Sequence, residues 1–228
     1  MSVTPRLLYD IFREVLREEL RIYHDYEHVH VTELVQCLRK SWFSRKFGDV
    51  EKLSHLSDTK CVILALGILA HRELARRLEP LGFSCEVDLE YRVRDGLILC
   101  GRPDAVGENC VLEFKTVSSI PPNPYEHHYL QINTYLYMAG KQYGYLIYIS
   151  KRDGVIKVFD VYRSEEYWRY VLTRAEKYQR YLVEDVCPPA EVHYLCQYCE
   201  WWLLCHRLPR EEVPRSAVEE VRRSVAGR

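Results

Sequence analysis

The chain has no Gly-x-x-x-x-Gly-Lys-Ser/Thr loop, so it carries no ATP motor of its own. It has no uninterrupted apolar stretch of the roughly 20 residues that a membrane helix needs. Its N-terminus is charged through the first expected helix rather than patterned as a secretory leader. Both absences predict a cytoplasmic protein with no membrane partner. Net charge is also lacking, since 32 Lys and Arg against 33 Asp and Glu leave −1, and a near-neutral chain exerts no global attraction on nucleic acid. Any affinity for nucleic acid would have to come from local basic clusters, either Arg39, Lys40, Arg45 and Lys46 or Arg72, Arg76 and Arg77, each equally readable as a solvated helix face. Asn, Gln and Met are scarce beside abundant Glu, Arg and Tyr, a thermophile-like balance. Internal repeats and low-complexity segments are absent.

Cysteine, by contrast, is plentiful, with nine in 228 residues. In a cytoplasmic chain these read better as metal or cluster ligands than as a disulfide framework. Cys37 stands alone near the start, while Cys196, Cys199 and Cys205 lie close together near the end. A structural zinc site usually shows two close cysteine pairs, and only Cys196-x-x-Cys199 is present. A four-thiolate iron-sulfur cluster tolerates one remote ligand and three near ones, most often as 4Fe-4S, with 2Fe-2S the other four-cysteine form. Such a cluster would tie the C-terminal segment to the N-terminal helices. Cys187, beside Pro188, is a spare ligand, and Cys61, Cys85, Cys100, Cys110 and Cys187 read as buried small hydrophobes first and disulfide partners second.

The patterning predicts one domain, with an N-terminal helical region over 1–57, a core over 58–186, and a C-terminal segment over 187–228. Thr4-Pro5 opens a first helix to about Arg21. Thr32 is a possible cap for a second helix carrying Cys37 on a Leu34/Leu38 face. Ser57 or Asp58 opens a third, almost wholly apolar helix to Leu78, expected to be central and buried and ended by Pro80 and Gly82. From Cys85 the period becomes two: Cys85 to Val93, Leu97 to Val106 and Cys110 to Val117 form an antiparallel three-stranded meander. A helix follows from Tyr125 to Tyr143, then a strand pair flanking Asp153-Gly154, then a long helix capped by Ser164 and running to about Val186. The fold class is α/β, a mixed central sheet flanked by helices.

Within the meander the chemistry concentrates. Glu113 and Lys115 are two apart and so project from one strand face, while Leu112 and Phe114 enter the core from the other. Asp104 lies late in the preceding strand, where the Gly107-Glu108-Asn109 turn sets the two strands side by side. Two carboxylates supply hard oxygen ligands to magnesium or manganese, the Phe114 carbonyl adds a further oxygen, and a lysine beside them can act on water or phosphate. Glu-x-Lys alone would be an ordinary cross-strand ion pair. His71, on the apolar helix, would by itself be an ordinary core histidine. Gln131 and Tyr135, four apart on one helix face, can contact a phosphate or fix the lysine.

Gly67-x-x-x-His71, Gly101-x-x-Asp104, Glu113-x-Lys115 and Gln131-x-x-x-Tyr135, in this order, resemble the motifs of RecB-like nucleases of the PD-(D/E)xK superfamily. With Cys37, Cys196, Cys199 and Cys205 added, the chain is similar to the stand-alone iron-sulfur nucleases of CRISPR adaptation, the fourth family of CRISPR-associated proteins. The resemblance implies a RecB-type core, metal ligation by His71, Asp104 and Glu113, catalytic assistance from Lys115, active-site support from Gln131 and Tyr135, and cluster ligation by the four cysteines. It implies cleavage of single-stranded DNA, often from the 5′ end, and trimming of new spacers alongside the integrase that inserts them. A RecB-type repair exonuclease and a non-catalytic iron-sulfur or zinc module are the competing readings.

Overall fold

The computed structural model describes residues 4–19, 25–48, 56–192 and 194–207. The tail expected to follow the last cysteine lies outside them. The chain divides into two compact units, one of Met1–Tyr26, Gln36–Ala65 and Lys177–Arg228, the other of Glu27–Val35 and Leu66–Glu176. Among the described residues no helix is long and apolar enough to cross a membrane.

The second unit holds both sheets. In the first, β1 (His28–His30) runs parallel to β4 (Leu97–Gly101), which pairs antiparallel with β3 (Leu89–Arg94). The other sheet has the order β2 (Ser84–Cys85), β5 (Ala105–Val106), β6 (Cys110–Val117), β7 (Tyr143–Ser150), β8 (Ile156–Tyr162). Only β6 and β7 are parallel in it. That pair needs a crossover, which helix α5 (Glu126–Met138) supplies. The α/β class with mixed sheets is therefore observed, but the expected single meander is not. Pro103 offers no N–H to a ladder and pushes Arg102 away from regular pairing, so the strand stops at Gly101, and β5 restarts at Ala105 in the other sheet. Asp104 sits in this break.

On β6, Leu112 and Phe114 join Ala105 in a core with Leu74, Leu78, Phe83 and Ile147, while Glu113 points to the opposite face. Helix α4 (Asp58–Leu78) has the predicted limits, and Gly82 takes the left-handed conformation (φ 89°) just past it. It is not, however, buried all round: Ile63, Leu64, Leu66 and Leu69 are exposed, and its buried positions are the small Cys61, Ala65, Gly67 and Ala75. Small residues let a helix backbone approach closely, so its tight face is the narrow one. Helix α5 ends at Met138 rather than Tyr143, because Gly140 (φ 67°) reverses the chain and Lys141 N–H bonds back to the Leu136 carbonyl.

In the first unit, α1 (Pro5–Glu18) begins as predicted, with the Thr4 hydroxyl accepting from the Leu7 amide. Thr32 is not a cap. It lies inside the short α2 (Val31–Leu34) of the second unit, whose start is closed by Glu33 accepting from the His30 amide. Cys37 instead occupies the position before α3 (Leu38–Phe47). Trp201 packs on Phe43 and Phe47, with ring centroids 5.7 and 5.9 Å away, just before α7 (Trp202–Arg207). Helix α6 (Glu165–Val183), which belongs to the second unit up to Glu176, follows Ser164 and ends three residues earlier than expected.

Candidate active site and cysteine pocket

Alternation along β6 delivers Glu113 and Lys115 to the face that α5 covers. Glu113 is 3% exposed. Lys115 Nζ donates to Glu113 Oε1 and to Gln131 Oε1, both at 2.8 Å. Gln131 Nε2 in turn donates to the Tyr135 hydroxyl at 3.0 Å, which fixes the amide so that its oxygen meets the lysine. Tyr135 is 1% exposed, and burial first, then the Glu113 charge, raises its pKa so that it stays a phenol. One unbroken chain of hydrogen bonds thus runs from Tyr135 to Glu113.

Asp104, in the Pro103 break, faces the same edge of β6. Its Oδ2 accepts the Phe114 amide at 2.6 Å, and its Oδ1 lies 3.4 Å from His71 Nδ1. In an extended strand a residue's N–H and C=O share an edge, so the Phe114 carbonyl also faces away from β7, toward Asp104. His71 reaches the site because α4 passes unusually close to β6: a Cβ on Gly67 would stand 2.9 Å from Thr116 Oγ1. Gly101 is needed for a related reason, since a Cβ there would meet Tyr135 Cε1 at 2.6 Å.

Two buried polar atoms here, Glu113 Oε2 and His71 Nε2, have no hydrogen-bond partner among the described residues. Burial, and then the Asp104 charge, push the Glu113 carboxyl up to about 7, against the opposing pull of Lys115 and His71. A buried carboxylate and imidazole with unused acceptors, beside a second carboxylate and a strand carbonyl, form the donor set of a hard divalent cation. As they stand, no three His, Cys, Asp or Glu among the described residues are drawn together closely enough to hold a metal.

His128 and Tyr148 are neighbours that the sequence did not single out. Tyr148 is the register partner of Lys115 across β6 and β7, and its hydroxyl lies 2.9 Å from His128 Nδ1 and 3.1 Å from the Tyr125 amide. The available signal was spacing, since His128 is three residues before Gln131 on α5 and so shares its face.

The cysteine pocket belongs to the first unit. Arg39, 4% exposed, donates to the Pro188 carbonyl at 2.6 Å and approaches the Cys205 carbonyl at 3.3 Å and its Sγ at 3.7 Å, while Nη2 has no partner among the described residues. Burial pushes the Cys187 thiol up to about 11, with Arg39 opposing and Cys205 and Cys37 within electrostatic reach. Burial also raises Cys199, which senses Lys40 and Cys37. Cys196 Sγ is 3.9 Å from the Glu191 carbonyl. A buried cation with an unused donor among thiols suits an anionic thiolate cluster. Among the described residues no two cysteines form a disulfide. Cys61, Cys100 and Cys187 are buried, as small hydrophobes would be, whereas Cys85 and Cys110 are only half-buried.

The predicted basic clusters differ: residues of the first are engaged within the protein, while Arg76 and Arg77 of the second lie on an exposed helix face and share one carboxylate. Arg39 is buried, Lys40 pairs with Glu200 at 3.5 Å and Lys46 with Asp185. Arg76 and Arg77 both donate to Glu73, at 2.8 and 2.7 Å. Of the aromatics near the last cysteines, Trp201 is core, while Tyr198 and Trp202 are exposed.

Comparison with known proteins gives three findings. The profile of the PD-(D/E)XK nuclease superfamily matches residues 11–206. The CRISPR-associated exonuclease Cas4 of Saccharolobus solfataricus is 25% identical over 156 residues, which is 61% of this chain and 72% of that protein. The crystal structure of SSO0001 superposes with a TM-score of 0.70 at 21% identity, covering 91% of this chain and 98% of that one. The last of these speaks for the fold alone.

Proposed function

Since the chain belongs to the PD-(D/E)XK nuclease superfamily, we propose that it is a divalent-metal-dependent nuclease that degrades single-stranded DNA from the 5′ end and processes spacer precursors in CRISPR adaptation, with an iron-sulfur cluster on Cys37, Cys196, Cys199 and Cys205. The observation that carries the nuclease reading is the pairing of the Tyr135–Gln131–Lys115–Glu113 hydrogen-bond chain with the two unpartnered atoms, Glu113 Oε2 and His71 Nε2, at its acidic end.

In this reading His71, Asp104, Glu113 and the Phe114 carbonyl hold Mg2+ or Mn2+. The bound cation supplies positive charge to polarise the scissile phosphate and acidify water. Lys115 has three N–H donors and, among the described residues, commits two, to Glu113 and Gln131. The third is available for the attacking water or a non-bridging phosphate oxygen. Gln131 and Tyr135 position the lysine, and Asp104 is itself held by the Phe114 amide. Donors fixed before the substrate arrives cost no reorganisation as charge develops.

The adaptation role is supported by the similarity to the Cas4 exonuclease, and the cluster by the cysteine set with its buried Arg39. A repair or end-processing exonuclease of RecB type shares the same chemistry. Identifying the neighbouring genes would separate the two, since an adjacent integrase pair marks adaptation. A non-catalytic metal-binding module would leave labelled DNA intact. Incubating end-labelled DNA with and without Mn2+ tests the nuclease reading: Glu113→Ala or Asp104→Ala should abolish cleavage while the far-ultraviolet spectrum is unchanged. Full activity in Asp104→Ala would remove that residue from the site. Lys115→Ala should slow cleavage by about 10²–10³-fold yet still bind the cation by calorimetry.

A further inference from the structure

We propose that His128 is a substrate-binding residue of this site, donating its Nε2–H to a phosphate oxygen of the DNA strand next to the phosphate at Lys115, with Tyr148 as the positioning residue that sets its tautomer. The inference rests on the nuclease reading above.

The geometry begins with register. Lys115 on β6 faces Tyr148 on β7, and paired residues of adjacent strands project from the same face at a strand spacing of about 4.8 Å. Tyr148 is fully buried, and its hydroxyl binds two groups from the start of α5. The Tyr125 amide can only donate, so it occupies a lone pair of Oη. His128 Nδ1 lies 2.9 Å from the same oxygen, and in the proposed arrangement the hydroxyl's own proton points to it, the polarity that the tautomer measurement below reads. An imidazole that accepts at Nδ1 carries its proton at Nε2. His128 is half-buried, so this N–H is within reach of a ligand.

The ligand class follows from the neighbours. An N–H donor requires an acceptor, and the Lys115 ammonium on the adjacent strand favours an anionic one. Burial, then Lys115 and His127, lower the His128 pKa to about 2. The ring therefore stays neutral at any working pH, adds no repulsion to Lys115, and keeps a single donor of fixed direction. Helix α5 also links the two grips. His128, Gln131 and Tyr135 recur at i, i+3 and i+7 on one face, so the helix that fixes Lys115 through Gln131 also carries the proposed second contact. Holding two successive phosphates immobilises the bond between them, which is what orientation requires of a strand with freely rotating backbone torsions.

The test uses the full-length protein with Mn2+ and a series of single-stranded oligonucleotides, each with one phosphate replaced by an uncharged methylphosphonate. For the wild type, one position beside the cleavage site should raise KM by about tenfold, the loss expected for one hydrogen bond to a charged group. In His128→Ala, KM on unmodified DNA should rise by a similar factor with a smaller change in kcat, and methylphosphonate at that one position should cost nothing further. His128→Gln, whose amide can still donate, should recover part of the loss. Nitrogen-15 shifts of His128 should report the Nε2–H tautomer, and Tyr148→Phe should mix the tautomers and raise KM without removing the ring. If the methylphosphonate penalty at every position simply adds to that of His128→Ala, the residue is only structural and the inference falls while the nuclease reading stands. Absence of metal-dependent cleavage by the wild type would overturn both. Should His128→Ala fail to fold, His128→Gln and Tyr148→Phe carry the same comparison, and unchanged KM in both would overturn the proposal.

Discussion

Glu113 is pulled in two directions. Burial and Asp104 favour its protonated form, Lys115 and His71 its charged form, and the balance leaves it raised to about 7 against the ordinary 4.5. A carboxyl whose folded pKa is raised binds its proton more tightly in the folded chain. Its contribution to stability is therefore fully present below about 4.5 and is lost as pH rises through about 7. Without a cation, thermal melts should show the wild type losing stability between pH 5 and 8 relative to Glu113→Gln, which removes the titration. A cation must displace that proton, so below pH 7 the apparent affinity for Mn2+ should improve by about tenfold per pH unit and level off above it. A pH-independent affinity measured by calorimetry would separate Glu113 from the cation. Gly101 gives a second prediction at this scale. In Gly101→Ala the new Cβ would stand 2.6 Å from Tyr135 Cε1, so the ring must shift and loosen its bond to Gln131. The variant should lose about 1–3 kcal/mol in chemical denaturation and fall in kcat. The Glu113 and Lys115 alternation was legible in the sequence because a period of two is local. Why Gly67 and Gly101 must be glycine was not, because each depends on a side chain 34 or more positions away, Thr116 or Tyr135.

At the scale of elements, limits were easier to read than surroundings. Thr4-Pro5, Gly82 and Asp153-Gly154 marked real boundaries, since caps and turns are set by adjacent residues. Hydrophobic content alone misled for α4, whose large apolar residues Ile63, Leu64, Leu66 and Leu69 face outward. The split of the expected meander into two sheets was announced only by Pro103, and that split is what leaves Asp104 off a ladder and free to hold the Phe114 amide. The cysteine elements yield a prediction. Cys37 precedes α3, Cys196 lies in the 3-10 turn Tyr194–Tyr198, and Cys205 is in α7. A cluster binding all of these would couple ligation to the joining of short elements distant in sequence. Replacing Cys37, Cys196, Cys199 or Cys205 by serine should strip iron and sulfide and lower the melting temperature, whereas Cys85→Ser and Cys110→Ser should keep the colour. Cys187→Ser is the informative control, since Cys187 lies within electrostatic reach of Cys37 and Cys205. Loss of iron there, with retention in Cys196→Ser, would reassign the fourth ligand.

For the whole molecule, charge decides how DNA is held. The net charge is −1, and Lys40, Lys46, Arg76 and Arg77 are paired with carboxylates. Long-range attraction is therefore weak, and the affinity must come from a few groups at the site, Lys115 foremost. Binding through two to four phosphates of a single strand gives a slope of log K against log salt of about −1.5 to −3, at roughly −0.7 per phosphate. A protein that coats a duplex would show a far steeper one. Lys115 is only partly exposed and Glu113 almost wholly buried, so the phosphate must come to a recessed face of β6 beneath α5, which a flexible single strand can do and a stiff duplex cannot without fraying. Cleavage should accordingly be fastest on single-stranded DNA, slower on overhangs of equal length and slowest on blunt duplex. Measuring initial rates on all three at two salt concentrations checks both statements together. Equal rates on blunt duplex and single strands, or a slope steeper than about −5, would mean that the protein grips DNA over a broad surface rather than at this one recessed face.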